Sequence, residues 1–198
     1  MPSFDFLVKL SNIPEHTIVT HRLSNFLPRN EPCHRALEAA KLYLTPQRGH
    51  HFLTFASKTT GSGKTHLAWA IGWEYLMGCS SVFYGTVPDM LVYLREGIRN
   101  EYYNVEARIH YLQEVKLLIL DDLGTEHRTD FANESLDMVV NSRYTHLRST
   151  VITTNLNSDE LQPRISSRAK EGVTVYLDTT DYREIIAQQR QVVGQSNA

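Results

Sequence analysis

From residue 51 onward, short apolar runs alternate with longer stretches whose apolar residues recur every three or four positions. The first pattern predicts strands and the second helices. Strands are predicted at His51–Ala56 (HFLTFA), Ser81–Thr86 (SVFYGT), Lys116–Asp121 (KLLILD), Ser149–Thr154 (STVITT) and Val173–Leu177 (VTVYL). Between them, Lys64–Met77 is apolar nearly all round, the mark of a helix buried on several sides. Further helical spacing runs over Pro88–Gly97, roughly Tyr103–Gln113, and Asp130–Leu147, the last through Phe131, Leu136, Val139, Val140, Tyr144 and Leu147. Upstream, Ala36, Leu37, Ala40 and Leu44 give Glu31–Leu44 one apolar face, entered by Pro32 and broken by Pro46 and Gly49. Residues 1–30, with Pro2, Pro14 and Pro28, read as an irregular lead-in.

Five strands separated by helices predict an α/β fold with a parallel sheet covered on both faces. Continuous apolar runs such as LLIL fit that burial, and a mixed α+β fold is the alternative on pattern alone. With 41% hydrophobic residues in 198, a sizeable core is available. The net charge of −2 argues against coating nucleic acid by bulk charge, but leaves room for contacts by a few residues multiplied in a ring or spiral. Cys33 and Cys79 have no zinc-type spacing and read as reduced thiols; His50 and His51 are adjacent and face opposite ways in a strand. No basic segment leads into an apolar stretch and no run is long enough to cross a bilayer. A soluble cytoplasmic protein without membrane partners is expected.

The chemistry concentrates around Gly61-Ser62-Gly63-Lys64-Thr65, between a predicted strand and a predicted helix. Glycines let backbone N–H groups turn inward around phosphate oxygens, and the helix N-terminus adds partial positive charge. In such a loop Lys64 reaches the β- and γ-phosphates and the Thr65 hydroxyl ligates Mg²⁺; Thr60 and His66 flank it and join the ATP-binding set. The full phosphate-loop pattern has its first glycine where this chain has Lys58. A side chain there is expected to crowd the turn or force a backbone change of about 1 kcal/mol or more, weakening but not abolishing nucleotide binding; the alternative is that the extra ammonium helps to hold a phosphate.

The strand Leu117–Leu120 ends in Asp121 and Asp122, where ligands sit in open parallel sheets. Asp121 is assigned to the metal and Asp122 to polarising the attacking water. Asn155, after Thr153-Thr154, is placed to orient that water.

Taken together, GSGKTHLA (Gly61–Ala68), VPDMLVYLR (Val87–Arg95), LLILDDLGTE (Leu117–Glu126), NSRY (Asn141–Tyr144), VITTNL (Val151–Leu156) and PRISSR (Pro163–Arg168) resemble the AAA+ domain of the DnaC/DnaI helicase loaders, with the transposase helper IstB as close relative. Arg22–Phe26 also resembles the short segment preceding that domain. The resemblance covers roughly residues 20–185. It implies a three-layer AAA+ P-loop NTPase core with a five-stranded parallel sheet and little or no helical lid. On that basis residues 1–20 are the lead-in, 21–192 the ATPase domain and 193–198 a tail. It further implies that Arg168 is an arginine finger reaching a neighbouring subunit's γ-phosphate, that Arg164 assists, and that Arg183 is a sensor arginine touching nucleotide. The implied partners are a replicative helicase or a transposase, single-stranded DNA with duplex DNA as a second possibility, and further copies of the chain in an ATP-dependent oligomer.

Two points qualify the loader reading. Only about 20 residues precede the ATPase segment, where loaders carry a helicase-gripping region. LDDLGTE, however, resembles the loaders more than the DELG-type sequence of IstB. A nucleotide-binding scaffold without turnover is the remaining alternative. No nucleophile-elbow pattern supports hydrolase chemistry of another kind. The tyrosines at 75, 84, 93, 102, 103, 111 and 144 read mostly as core packing, with Tyr102-Tyr103 beside Arg99 and Arg108 as a candidate base-stacking element.

Overall fold

A computed structural model of the chain describes residues 2–99, 104–157 and 159–177. Five strands, β1 (Phe52–Ala56), β2 (Val82–Thr86), β3 (Leu117–Leu123), β4 (Ser149–Thr154) and β5 (Val173–Tyr176), form one sheet in the order β2-β3-β4-β1-β5. Every adjacent pair is parallel. The sequence-predicted α/β architecture is therefore the observed one, and strand bounds fall within a residue or two of expectation.

The helices divide between the two faces. On one lie α1 (Phe4–Ser11), α3 (Glu31–Tyr43) and α4 (Lys64–Met77), packed on Leu53, Phe55, Leu117, Ile119 and Val151. On the other lie α5 (Val87–Glu96), α6 (Val105–Glu114), α7 (Asp130–Thr145) and α8 (Pro163–Glu171), packed on Phe52, Phe83, Leu118, Leu120 and Ile152. Odd and even positions of β3 thus feed different cores, as the two-residue period of a strand requires. Burial on both faces accounts for the uninterrupted apolar runs.

The lead-in departs from expectation. Residues 4–11 form α1, capped by the Ser3 side chain, and Leu7, Val8 and Ile13 join the α4-side core. The short helix α2 (Thr17–Thr20) follows, and the buried Thr17 hydroxyl accepts from Trp73 Nε1 at 2.8 Å. Prolines there limit helix length rather than prevent helix formation. α6 begins at Val105 rather than near Tyr103; Tyr103, like Tyr102, lies outside the described residues. α7 ends at Thr145 rather than at Leu147, whose φ of 53° has left the helical region.

A buried cation joins the α6–α7 layer to the sheet. Arg143, on α7 and fully buried, donates to the carbonyls of Leu112 (2.8 Å), Gln113 (3.1 Å) and Val115 (2.9 Å) at the end of α6, and to the Thr150 hydroxyl (2.9 Å) and the Ser149 carbonyl on β4. Burial pulls its pKa down to about 10, so it remains charged at neutral pH. A fixed planar fork matches several carbonyls at once, which an ammonium does not.

Candidate functional site

The loop between β1 and α4 turns through two left-handed glycines, Gly61 (φ 63°) and Gly63 (φ 99°), and delivers Lys64 to the first position of the helix. Lys64 is buried, its ammonium 3.3 Å from the Thr59 carbonyl and 3.2 Å from the Ser62 hydroxyl. Lys58 is exposed and is not among the described non-glycine residues with positive φ. The backbone strain expected of a side chain at that position is therefore absent, because the loop takes its left-handed turns at Gly61 and Gly63.

Asp121 stands opposite the loop at the end of β3. Its carboxylate accepts from the Thr65 hydroxyl at 3.1 and 3.2 Å, from the Tyr84 hydroxyl at 2.8 Å and from the Thr153 hydroxyl at 2.5 Å. Alternation along β3 turns Asp121 toward α4, with Ile119, and would turn Asp122 to the other face. The register between β3 and β4 shifts between Leu120 and Leu123, placing one extra residue on β3. Asp122 takes a left-handed φ of 52° within this bulge, and its N–H donates to Thr153 Oγ1 at 2.9 Å. Bulges of this kind re-aim side chains beside active sites, and a non-glycine residue held at positive φ is strain of the sort stored there. Asp122 consequently lines the same cleft as the phosphate loop.

That cleft encloses about 490 Å³. One wall is Thr60–His66 with Trp69; Asp122 and Asn155 close the sheet side; Thr20, His21, Asn25, Phe26, Leu27, Arg29 and Cys33 form the opposite wall. The Asn155 side-chain oxygen is buried without a hydrogen-bond partner, an acceptor available to a bound group. His66 donates from Nε2 to the Arg22 carbonyl at 3.0 Å, since a carbonyl can only accept. Its ring stands 4.7 Å from His21 and 5.4 Å from Phe26, centroid to centroid. Burial lowers the pKa of His66 against the opposing effect of that hydrogen bond. His21 is lowered by burial first, then by His66 and His16.

Thus Thr60–His66, Asp121, Asp122 and Asn155 come together from three separate segments of the chain. Arg164 and Arg168 do not line this cleft. Arg164 is exposed on α8 and pairs with Asp137 at 3.2 Å. Arg168 stacks over the Tyr144 ring at 3.9 Å and reaches Glu171 (3.2 Å) and Asn141 (3.4 Å). Arg183 lies outside the described residues, as does the side chain of Arg99. Arg108 is engaged with the Tyr93 carbonyl and ring and with Glu96.

Over residues 54–168, which contain the phosphate loop and both acids, the chain matches the family model described as IstB-like ATP binding protein. The chain belongs to this family. A curated relative, the replicative helicase loader DnaC of Escherichia coli K12, is 29% identical over 136 residues, covering 69% of this chain and 56% of DnaC. YdaV of the same organism is 31% identical over 153 residues, covering 77% of this chain and 61% of YdaV. The chain therefore spans little more than half of these relatives. Among solved structures, a DnaC helicase loader superposes with a TM-score of 0.69 at 24% identity, covering 82% of this chain and 99% of that one. DnaA bound to AMPPCP and single-stranded DNA superposes with a TM-score of 0.70 at 22% identity, covering 79% and 49%. At that identity the superpositions establish the fold alone, an α/β P-loop NTPase-like core. Among the described residues no helix is long and apolar enough to cross a membrane.

Several site residues carry no motif of their own. Tyr84 and the wall from Thr20 to Cys33 reach the cleft only through strand order and the folding of the lead-in. Thr153 lies near the end of β4, one residue before the strand's last position and two before Asn155.

Proposed function

We propose that this chain is an ATP- and Mg²⁺-dependent ATPase of the helicase-loader kind, assembling on single-stranded DNA to load or remodel a replicative helicase. The observation that carries the ATPase reading is the Thr65–Asp121 contact at 3.1 Å across the mouth of the phosphate loop. A threonine hydroxyl that donates its proton to Asp121 keeps its oxygen lone pairs for a cation. Hydroxyl and carboxylate oxygens are the donors magnesium prefers. Magnesium at this point would neutralise charge between the β- and γ-phosphates.

The remaining groups then have defined work. Backbone N–H groups of the loop and the Lys64 ammonium hold the phosphates. Asp122, aimed into the cleft by its bulge, accepts hydrogen from the attacking water. The Asn155 side-chain oxygen takes a second hydrogen of that water and fixes its direction. Arg168 and, secondarily, Arg164 do not line the chain's own cleft, which suits a finger acting on a neighbouring protomer. An ATP-dependent homo-oligomer follows from that assignment, and Arg183 is retained as the sensor arginine. Turnover is proposed to be modest because of Lys58. With its backbone unstrained, the weakening has to come from the side chain at the loop and not from φ.

The loader assignment rests on the DnaC relative, and on this reading residues 21–192 are the ATPase unit. A second reading, a transposase helper acting on duplex target DNA, is favoured by the IstB-like family match. The experiment is ATP hydrolysis with single-stranded DNA, duplex DNA or neither. Stimulation by single strands, lost in Arg168→Ala, supports the loader. Duplex preference with ATP-dependent filaments supports the transposase helper. ATP binding without phosphate release would leave a scaffold and sink the enzyme reading.

A further inference from the structure

Tyr84 has no place in the phosphate-loop chemistry set out above, yet its hydroxyl ends on the acid that faces the loop. We propose that Tyr84 is a positioning residue for magnesium, fixing the Asp121 carboxylate so that Thr65 and Asp121 face the cation together; this rests on the magnesium reading of that pair.

The geometry follows from strand register. Tyr84 on β2 pairs with Ile119 on β3, and Asp121 pairs with Thr86. Tyr84 and Asp121 are therefore diagonal neighbours on the α4 face, within reach of a long side chain. The Tyr84 hydroxyl donates to Asp121 Oδ2 at 2.8 Å. The Thr153 hydroxyl takes Oδ1 at 2.5 Å from the opposite side, on β4. One donor from each flanking strand leaves the carboxylate little freedom to rotate, while Thr65 approaches both oxygens from above at 3.1 and 3.2 Å. Tyr84 is itself held. Its ring meets Trp69 of α4 edge-on, at 5.7 Å between centroids, and Trp69 meets His21 of the cleft's outer wall at 4.9 Å.

A plain packing role is the competing explanation, and the two separate on a single oxygen atom. Tyr84→Phe keeps the ring and its contact with Trp69 but leaves Asp121 Oδ2 without this donor. The measurement is the affinity of the full chain for a fluorescent ADP analogue, titrated with Mg²⁺ and repeated in EDTA, with Asp121→Asn setting the scale for loss of the metal site. Partners that orient a metal ligand typically contribute about 10–100-fold in metal affinity. The half-saturating Mg²⁺ concentration should therefore rise about tenfold in Tyr84→Phe, while affinity in EDTA and the melting temperature stay near wild type. An unchanged Mg²⁺ requirement, with or without a lower melting temperature, would make Tyr84 a packing residue and overturn the proposal. If wild type itself shows no Mg²⁺ effect on nucleotide affinity, the Thr65–Asp121 reading fails first and takes this one with it.

Discussion

The Phe26 ring is seated on Gly63: a Cβ added to that glycine would lie 2.7 Å from Phe26 Cε2. The lead-in and the phosphate loop are thereby locked together at the one loop residue whose φ reaches 99°. Two separate penalties thus fall on any side chain at position 63. Gly63→Ala should weaken ATP binding roughly tenfold or more, since forced positive φ costs about 1–3 kcal/mol. Removing the obstacle does not remove the backbone penalty. In a Phe26→Ala background, Gly63→Ala should still bind ATP poorly by calorimetry. Full recovery in the double variant would show that Phe26 alone dictates the glycine.

Lys58 offers a sharper test of how the loop tolerates its missing glycine. Its φ is not left-handed and its side chain is exposed, so glycine has no conformational advantage there. If the bulk of the side chain is what weakens binding, Lys58→Gly and Lys58→Ala should raise ATP affinity equally; a fall in both would show instead that the Lys58 ammonium helps to hold the phosphates. A gain with glycine but none with alanine would reinstate backbone strain as the cause.

Burial lowers the pKa values of His21, His50, His51 and His66. For a base depressed on folding, the unfolded chain binds more protons as pH falls through 6.5, so stability is fully present above the unfolded value and is lost toward the folded one. The melting temperature should therefore drop between pH 7 and pH 5. His66→Gln keeps a donor for the Arg22 carbonyl and removes one titrating ring, so its drop should be smaller. A steeper drop in His66→Gln would assign the acid sensitivity elsewhere.

His21 lies in the part of the sequence that was least legible. The five strands, the phosphate loop and the Asp121-Asp122 pair were readable because each is a local pattern, an apolar run or a fixed spacing. The lead-in was not. Its helix α1 is short, and its membership of the core depends on contacts with α4 that no local spacing encodes. Tyr84 looked like packing because its hydroxyl finds Asp121 only once β2 and β3 are neighbours. The bulge that re-aims Asp122 is likewise a property of two strands, and the sequence of one strand cannot announce it.

Arg143 was legible only as part of a family motif, yet it stabilises the fold rather than the chemistry. Arg143→Met would leave the carbonyls of Leu112, Val115 and Ser149 buried without their donor. Unsatisfied buried acceptors cost about 1–3 kcal/mol each, so a loss of about 3 kcal/mol or more is expected in urea unfolding. Arg143→Lys should recover only part of it, because three donors on a flexible stem cannot match a planar fork. Wild-type stability in Arg143→Met would refute this role.

Arg168 presents the last test, because its position can be checked without knowing the partner. In the isolated chain it is clasped by the Tyr144 ring, Glu171 and Asn141, and it does not line the nucleotide cleft. A finger so placed acts only on a neighbour. Arg168→Ala should bind ATP normally and lose about 10³-fold or more in turnover. Asp122→Asn should also bind ATP and fail to hydrolyse it, since its own cleft lacks the water-polarising acid. Mixing the two inactive variants pairs an intact Arg168 from one protomer with an intact Asp122 from the other. Part of the wild-type activity should return, rising with protein concentration as assemblies form. If the mixture stays as inactive as its components while each still binds nucleotide and assembles, Arg168 is not a finger, and its contact with Tyr144 is a surface clasp on α8.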